Sequence, residues 1–395
     1  MTERPRRAAP DTILVGTIAT LVAFGLVMVF SASSASAVAY HHGNALYYLE
    51  RQAAWLVVAS VLAYGAYRID YRKLQPLGFS LLVATVLALV AVLIPHVGKT
   101  AGGASRWIGI GPVQFEPSEF AKLALVLYLA AALSYKGEKI RSFSNGLVPL
   151  CIVVAVVAVL VLKQPDMGTA SLLALVAGTL LFVAGARLAH LALVVACVVP
   201  PALVLVRHDA YKWARITAFV DPWRDPQDKG FHIVQSLLAL GTGGWHGVGL
   251  GFSRQKYFWL PEAHTDFIGA VVGEELGFIG IAALVALFVT LAFRSVRIAL
   301  AAPDRFGFLL AIGCMAIVVI QAFVNLGVVS ASWPVTGVPL PFVSFGGSSL
   351  VTSLVACALI VNVGCHRRMS DATTVLPEPV VASEVAFVAQ RAVRS

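Results

Sequence analysis

Charge is what this sequence has little of. Only 12% of its 395 residues are charged, against 59% hydrophobic, and the mean hydropathy is +0.85. That balance excludes a water-soluble domain and belongs to an integral membrane protein. Cysteine is scarce too, and the five present (Cys151, Cys197, Cys314, Cys357, Cys365) are scattered, mostly within apolar runs. They have neither metal-ligand nor disulfide-framework spacing and read as packing residues. A basic stripe is also missing, despite a formal charge of +9. The bases are dispersed in short loops, which suits membrane topology and argues against nucleic acid as a partner. No cleavable signal peptide is evident. Arg4, Arg6 and Arg7 run directly into an apolar stretch of spanning length, which reads as a retained first span.

What the chain has is long apolar runs. Ten of them reach about 17 to 25 residues, at roughly 12–31, 51–67, 77–94, 117–134, 146–162, 169–185, 189–206, 267–293, 306–329 and 344–363. The expected fold is therefore an all-α integral membrane protein of about ten transmembrane helices. Lys and Arg concentrate in alternate loops (Arg68, Arg72, Lys73; Lys136, Lys139, Arg141; Arg187; Arg294, Arg297, Arg305) and in the tail at Arg367 and Arg368. The positive-inside rule then places both termini in the cytoplasm. Residues 1–11 form a cytoplasmic tail, 12–366 the membrane domain, and 367–395 a cytoplasmic tail expected to be disordered. Residues 207–266 make a large extracytoplasmic loop between spans seven and eight. Inside it, Gly230 to Leu240 is too short to span and reads as an interfacial or re-entrant helix. The glycines that follow, from Gly241 to Gly251, let backbone pack closely or form a mobile flap over a diphosphate.

Ionisable groups crowd together in only one place, Arg254 to Asp266, just before the eighth span. Asp266 and Thr265 suit helix capping. A carboxylate at a helix N-terminus beside Glu262, His264, Arg254 and Lys256 is also expected to stay ionised, the state a general base needs. Glu274 and Glu275 lie about 12 Å further along that helix, with Lys122 as a natural counter-ion. Glu119 precedes Lys122 by three residues on the same face. A structural ionic network and a catalytic one both fit these four residues. The 102–108 segment is an outside loop in which Trp107 is an interfacial anchor or a functional group, and Arg106 is placed to hold a phosphate. Lys163 and Asp166 supply a base and an acid at another outside turn. Pro334 to Pro341 cannot be regular helix, which at this depth implies a cavity. From Ser344 to Ser349, small residues open the last span.

Four of these stretches carry a resemblance: Ala104 to Ile108, Gln164 to Thr169, Leu260 to Phe267, and Pro339 to Ser349. In that order they resemble the SEDS family (shape, elongation, division and sporulation) of FtsW, RodA and SpoVE proteins. Phe345 stands where the family usually has tyrosine. The Ser253 to Lys256 stretch is closer to FtsW and its sporulation relatives, and the Pro334 to Pro341 stretch closer to RodA; the chain is most like FtsW.

The resemblance implies a peptidoglycan glycosyltransferase in the cytoplasmic membrane that polymerises lipid II at its outer face, for septal or lateral wall. Its partners would be a class B penicillin-binding protein and other divisome or elongasome proteins. Asp266 matches the family's essential acid and Trp107 a functionally important tryptophan. Candidate substrate-binding residues are Arg106, Trp107, Glu119, Lys122, Asp166, Arg254, Lys256, Glu262, His264 and Ser344. The leaving diphosphate needs positive charge from Arg106, Arg254, Lys256 or a divalent cation, magnesium or manganese, for which no ligand set is identifiable. A lipid II flippase and a scaffold that only recruits the crosslinking enzyme are the rival classes.

Overall fold

The computed structural model describes residues 8–95, 97–101, 104–110 and 113–366. The expectations for Arg4, Arg6, Arg7, Gly102, Gly103, Arg367, Arg368 and the 367–395 tail lie outside the described residues.

Each expected apolar run is a helix. In chain order these are α1 (Thr12–Tyr40), α2 (Tyr47–Arg68), α3 (Gly78–Val92), α4 (Pro117–Lys136), α5 (Val148–Leu162), α6 (Met167–Val183) and α7 (Leu188–His208). The 207–266 loop contains α8 (Ala210–Val220) and α9 (Phe231–Gly243), and α10 (Ile268–Leu300), α11 (Arg305–Val329) and α12 (Gly347–Cys365) complete the bundle. Among the described residues, seven helical stretches are long and apolar enough to cross a membrane. Helices α3 and α6 are apolar but shorter, and α2, polar at its first turns, is not among the seven. At 13 residues, α9 is too short to span, as its sequence indicated.

One stretch departs from an all-helical fold. Around the expected 102–108 loop, β1 (Gly98–Ala101), β2 (Ala104–Ile110) and β3 (Val113–Phe115) form an antiparallel sheet in the order β1-β2-β3. Trp107 pairs with Lys99 across it.

Helices α4, α11 and α12 are buried along most of their length, while α7 shows no buried residue among those described. The first three are the bundle's centre, and α7 lies at its edge. Side chains fix the helix starts where sequence allows: Asp11, Asp166 and Asp304 cap α1, α6 and α11, each accepting a main-chain N–H at 2.8 to 3.0 Å. Helix α10 bends at Gly277, whose φ of 66° only glycine adopts without strain.

Candidate functional site

The segment leading into α10 is a run of turns, and its main chain is held from three sides. Ser344 Oγ donates to the Thr265 carbonyl at 2.5 Å, and the Phe345 N–H donates to the His264 carbonyl at 2.9 Å. Asn325 Nδ2 donates to the Asp266 carbonyl at 2.7 Å. Phe267, with no side-chain bond, occupies the cap position of α10, so neither Thr265 nor Asp266 caps the helix as expected. Instead the Asp266 side chain faces Gly337, where an added Cβ would stand 3.4 Å from Oδ2. Gly337 (φ 72°) thus gives the carboxyl both room and a turn.

Gly337 belongs to the proline-rich stretch, which is non-helical through 334–340. Its prolines have no N–H, so its carbonyls need donors from elsewhere. Helix α11 supplies them from two amides one turn apart. Asn325 Nδ2 also donates to the Val338 carbonyl at 2.8 Å, and Gln321 Nε2 donates to the Pro339 carbonyl at 2.8 Å. Gln321 Oε1 in turn accepts from Lys122 Nζ at 2.7 Å, and Lys122 pairs with Glu119 at 2.7 Å. The predicted Glu119–Lys122 pair therefore forms, as part of a buried ladder beneath the loop.

Above this ladder lies a cavity of about 1150 Å³. Of the sequence candidates, Asp266, Glu262, Arg106, Trp107 and Glu119 line it. Arg106 is steered there by donating to the carbonyls of Gln164 and Pro165. Asp166, His264 and Ser344 stand behind the wall. Asp166 caps α6 through the Thr169 N–H at 3.0 Å, and the His264 ring packs 4.5 Å from Tyr48. Ser344 ties the proline stretch to the turn through Leu340 N–H and Thr265 O.

Two candidates are corrected. Arg254 is exposed and does not line the cavity. Lys256 is buried elsewhere, paired with Glu275 at 3.1 Å and donating to the Gly251 carbonyl at 2.7 Å. Glu275 also accepts from Ser31, while Glu274 accepts from Ser253 Oγ and from the Arg254 N–H at 3.0 Å. The counter-ion in this nest is Lys256, not Lys122 as expected. Sequence separation alone could not show which face of α4 meets which neighbour.

Two glycines of the string pack backbone on backbone. A Cβ at Gly243 would stand 1.9 Å from the Gly273 carbonyl oxygen, and one at Gly247 would stand 2.1 Å from that of Glu275. None of these glycines lines the cavity. Close packing holds at Gly243 and Gly247, whereas Gly241, Gly244 and Gly251 meet nothing within 4 Å.

Burial changes the expected chemistry of Asp266. Removed from water and beside Glu262, its carboxyl is pushed up to about 7, with Arg106 and Arg215 opposing and Asp166 adding to the rise. The expectation of a firmly ionised acid is thus corrected to one poised between its two forms near neutrality. Glu116, on the same cavity, is pushed up to about 8 by burial and by the nearby Glu119 and Asp166. Burial lowers the His264 imidazole, against the opposing pull of Glu262.

The sequence reading missed several wall residues: Glu116, Arg215, Lys229 and, from α2, Tyr48, Arg51 and Trp55. Bases in a long loop look like any other loop bases. The α2 residues did carry a signal, a polar and aromatic face at spacings of three, four and seven. Among the described residues no three His, Cys, Asp or Glu side chains are grouped to hold a metal.

The chain is a helical membrane bundle in which the buried Asp266 carboxyl shares one large cavity with Arg106 and Arg215. The family model described as "Cell cycle protein" (FtsW, RodA, SpoVE) matches residues 11–369, and the chain belongs to that family. It is 44% identical over 358 residues to the probable peptidoglycan glycosyltransferase FtsW of Geobacter metallireducens, covering 91% of this chain and 95% of that one. It is 40% identical over 363 residues to the stage V sporulation protein E of Bacillus subtilis, covering 92% and 99%. Among solved structures, the rod shape determining protein RodA of Thermus thermophilus matches with TM-score 0.67 and 30% identity over 92% of this chain and 99% of that one. A chain from a peptidoglycan synthase complex, described for its coordination of polymerization and crosslinking, matches with TM-score 0.75 and 32% identity over 92% and 99%.

Proposed function

We propose that this chain polymerises lipid II into β-1,4 glycan strands at the outer face of the cytoplasmic membrane, with Asp266 as general base. The observation that carries this is the position of Asp266: a buried carboxyl on the cavity wall, raised to about 7, under the influence of Arg106 and Arg215. A base titrating near the working pH transfers protons most effectively and supplies about 10²–10⁴-fold in rate.

In the reaction, Asp266 takes the proton from the acceptor sugar's 4-hydroxyl as that oxygen bonds to the donor's anomeric carbon. The bond from that carbon to the diphosphate oxygen breaks, and its electron pair leaves with undecaprenyl diphosphate. Attack from the opposite face inverts the α-linkage to β. Arg106, Arg215 and Lys229, all on the cavity wall, offset the charge of the departing group. They replace Arg254 and Lys256 in that role. The chain offers no three-ligand metal site among the described residues, so the divalent cation is assigned no protein ligands and no step.

Relatives named FtsW support a septal role over a lateral-wall one. The topology that fits is ten spans, both termini in the cytoplasm and residues 207–266 outside. The class B penicillin-binding protein remains the expected partner, supported by the likeness to a chain of a polymerising and crosslinking complex. The flippase reading is less favoured, because Glu274, Glu275 and Lys256 close on one another in a sealed nest instead of lining a path.

The test is lipid II polymerisation followed on a gel. The parent is expected to yield a ladder and Asp266→Asn none, with lipid II binding retained. Equal ladders would overturn the assignment of the base.

A further inference from the structure

The reading above requires two sugar substrates, and the cavity that holds Asp266 exceeds the roughly 300–1,000 Å³ typical of a single-ligand pocket. Its walls also differ in chemistry. Two cations that act on Asp266 are Arg106, on β2, and Arg215, on α8. A further arginine on the cavity wall, Arg51, stands on α2.

The other wall comes from α2. Tyr48, Arg51, Gln52 and Trp55 fall at spacings of three, four and seven, so they share one helix face. Gln52 is buried and locks that face to the start of α12: its Nε2 donates to the Ser344 carbonyl at 3.1 Å, and its Oε1 accepts from the Gly346 N–H at 3.3 Å. The Trp55 ring lies against Gly347 so closely that a Cβ there would meet ring atoms at 2.3 Å. Tyr48 meets Phe345 edge-on at 5.1 Å. Tyr48, Arg51, Trp55 and Phe345 are partly buried and line the cavity. The result is a fixed aromatic shelf carrying one cation, whose guanidinium also donates to the Tyr47 hydroxyl at 2.7 Å.

The two substrates bring unlike groups to the reacting centre. The donor brings a diphosphate on the carbon under attack, which calls for several cations. The acceptor brings a neutral N-acetylhexosamine terminus, with an apolar C–H face and a rim of hydroxyl and amide groups. The negative faces of aromatic rings attract such C–H faces, and a guanidinium fork donates to an amide carbonyl. We propose, on the basis of the polymerase reading, that the α2 shelf of Tyr48, Arg51 and Trp55 with Phe345 is the acceptor subsite. It binds the neutral N-acetylhexosamine that bears the 4-hydroxyl, while the Arg106 and Arg215 wall holds the donor diphosphate.

The test uses two analogues that each play one part. A lipid II with its terminal 4-hydroxyl capped serves only as donor. A lipid II with carbon in place of the anomeric oxygen serves only as acceptor. One coupling event is then measured with each varied in turn. Tyr48→Ala and Trp55→Ala are expected to raise the acceptor KM about three- to tenfold and to leave the donor KM within about twofold. The unchanged donor KM reports an intact fold. Arg215→Ala is expected to show the reverse pattern. Should an alanine variant not fold, Arg51→Met reads the same shelf with the helix packing kept. Shelf variants that raise the donor KM, or move neither constant, would overturn the assignment. A parent protein that couples neither analogue would overturn the polymerase reading itself, a distinguishable failure.

Discussion

Asn325 holds Asp266 by its main chain: one amide group donates to the carbonyls of Asp266 at 2.7 Å and Val338 at 2.8 Å, joining the turn before α10 to the proline stretch. The carboxyl can aim into the cavity because its backbone is fixed in this way. Asn325→Asp keeps the shape but turns an acceptor toward two carbonyls. It should lower the polymerisation kcat about ten- to hundredfold, as small misplacements of a catalytic group do, while KM moves less. Steady-state kinetics on purified lipid II check this.

Burial of Asp266 has a consequence for stability. Its carboxyl lies at about 7 in the folded protein, above the ordinary 3.8. A raised folded value means that the group's contribution to stability is fully present below about pH 4 and is lost as pH rises toward 7. Three units correspond to at most about 4 kcal/mol. Asp266→Asn should therefore unfold at higher temperature than the parent at pH 8 and at nearly the same temperature at pH 4, measured by thermal melts in detergent.

Lys256 and Arg254 are near neighbours in sequence with opposite expected behaviour. Lys256→Met leaves Glu275 buried without its cation, a change that costs roughly 3–5 kcal/mol, and it should lower the melting temperature sharply. Arg254→Ala alters an exposed side chain and should leave polymerisation within about twofold. Melts and initial rates on both variants decide the matter.

The glycines divide similarly. Gly243→Ala drives a methyl into the Gly273 carbonyl and should destabilise by about 1–3 kcal/mol. Gly241→Ala, with nothing within 4 Å in the same helix, should be neutral or stabilising by roughly 0.5–1 kcal/mol. Paired melts test the difference.

Much of this was legible before any coordinates. The apolar runs marked all ten expected helices, because lipid-facing and core-facing positions are both apolar. The crowding of charge before α10 marked Asp266. Three prolines marked the irregular stretch that lines the cavity. Other features depend on facing and depth, which spacing does not encode. Lys122 reaches Glu119 and Gln321, and Lys256 takes the partner assigned to it. The ionisation of Asp266 was misjudged because capping and nearby bases are visible in sequence, whereas desolvation is not. The sheet of β1, β2 and β3 escaped notice because its strands are only 4, 7 and 3 residues long.

The most direct test of Asp266 as a base poised by burial is the pH dependence of kcat/KM for lipid II polymerisation. The expected profile rises about tenfold per pH unit below neutrality and levels off above about pH 7. A rate that stays flat from about pH 5 to about pH 8 would contradict a base titrating in that range.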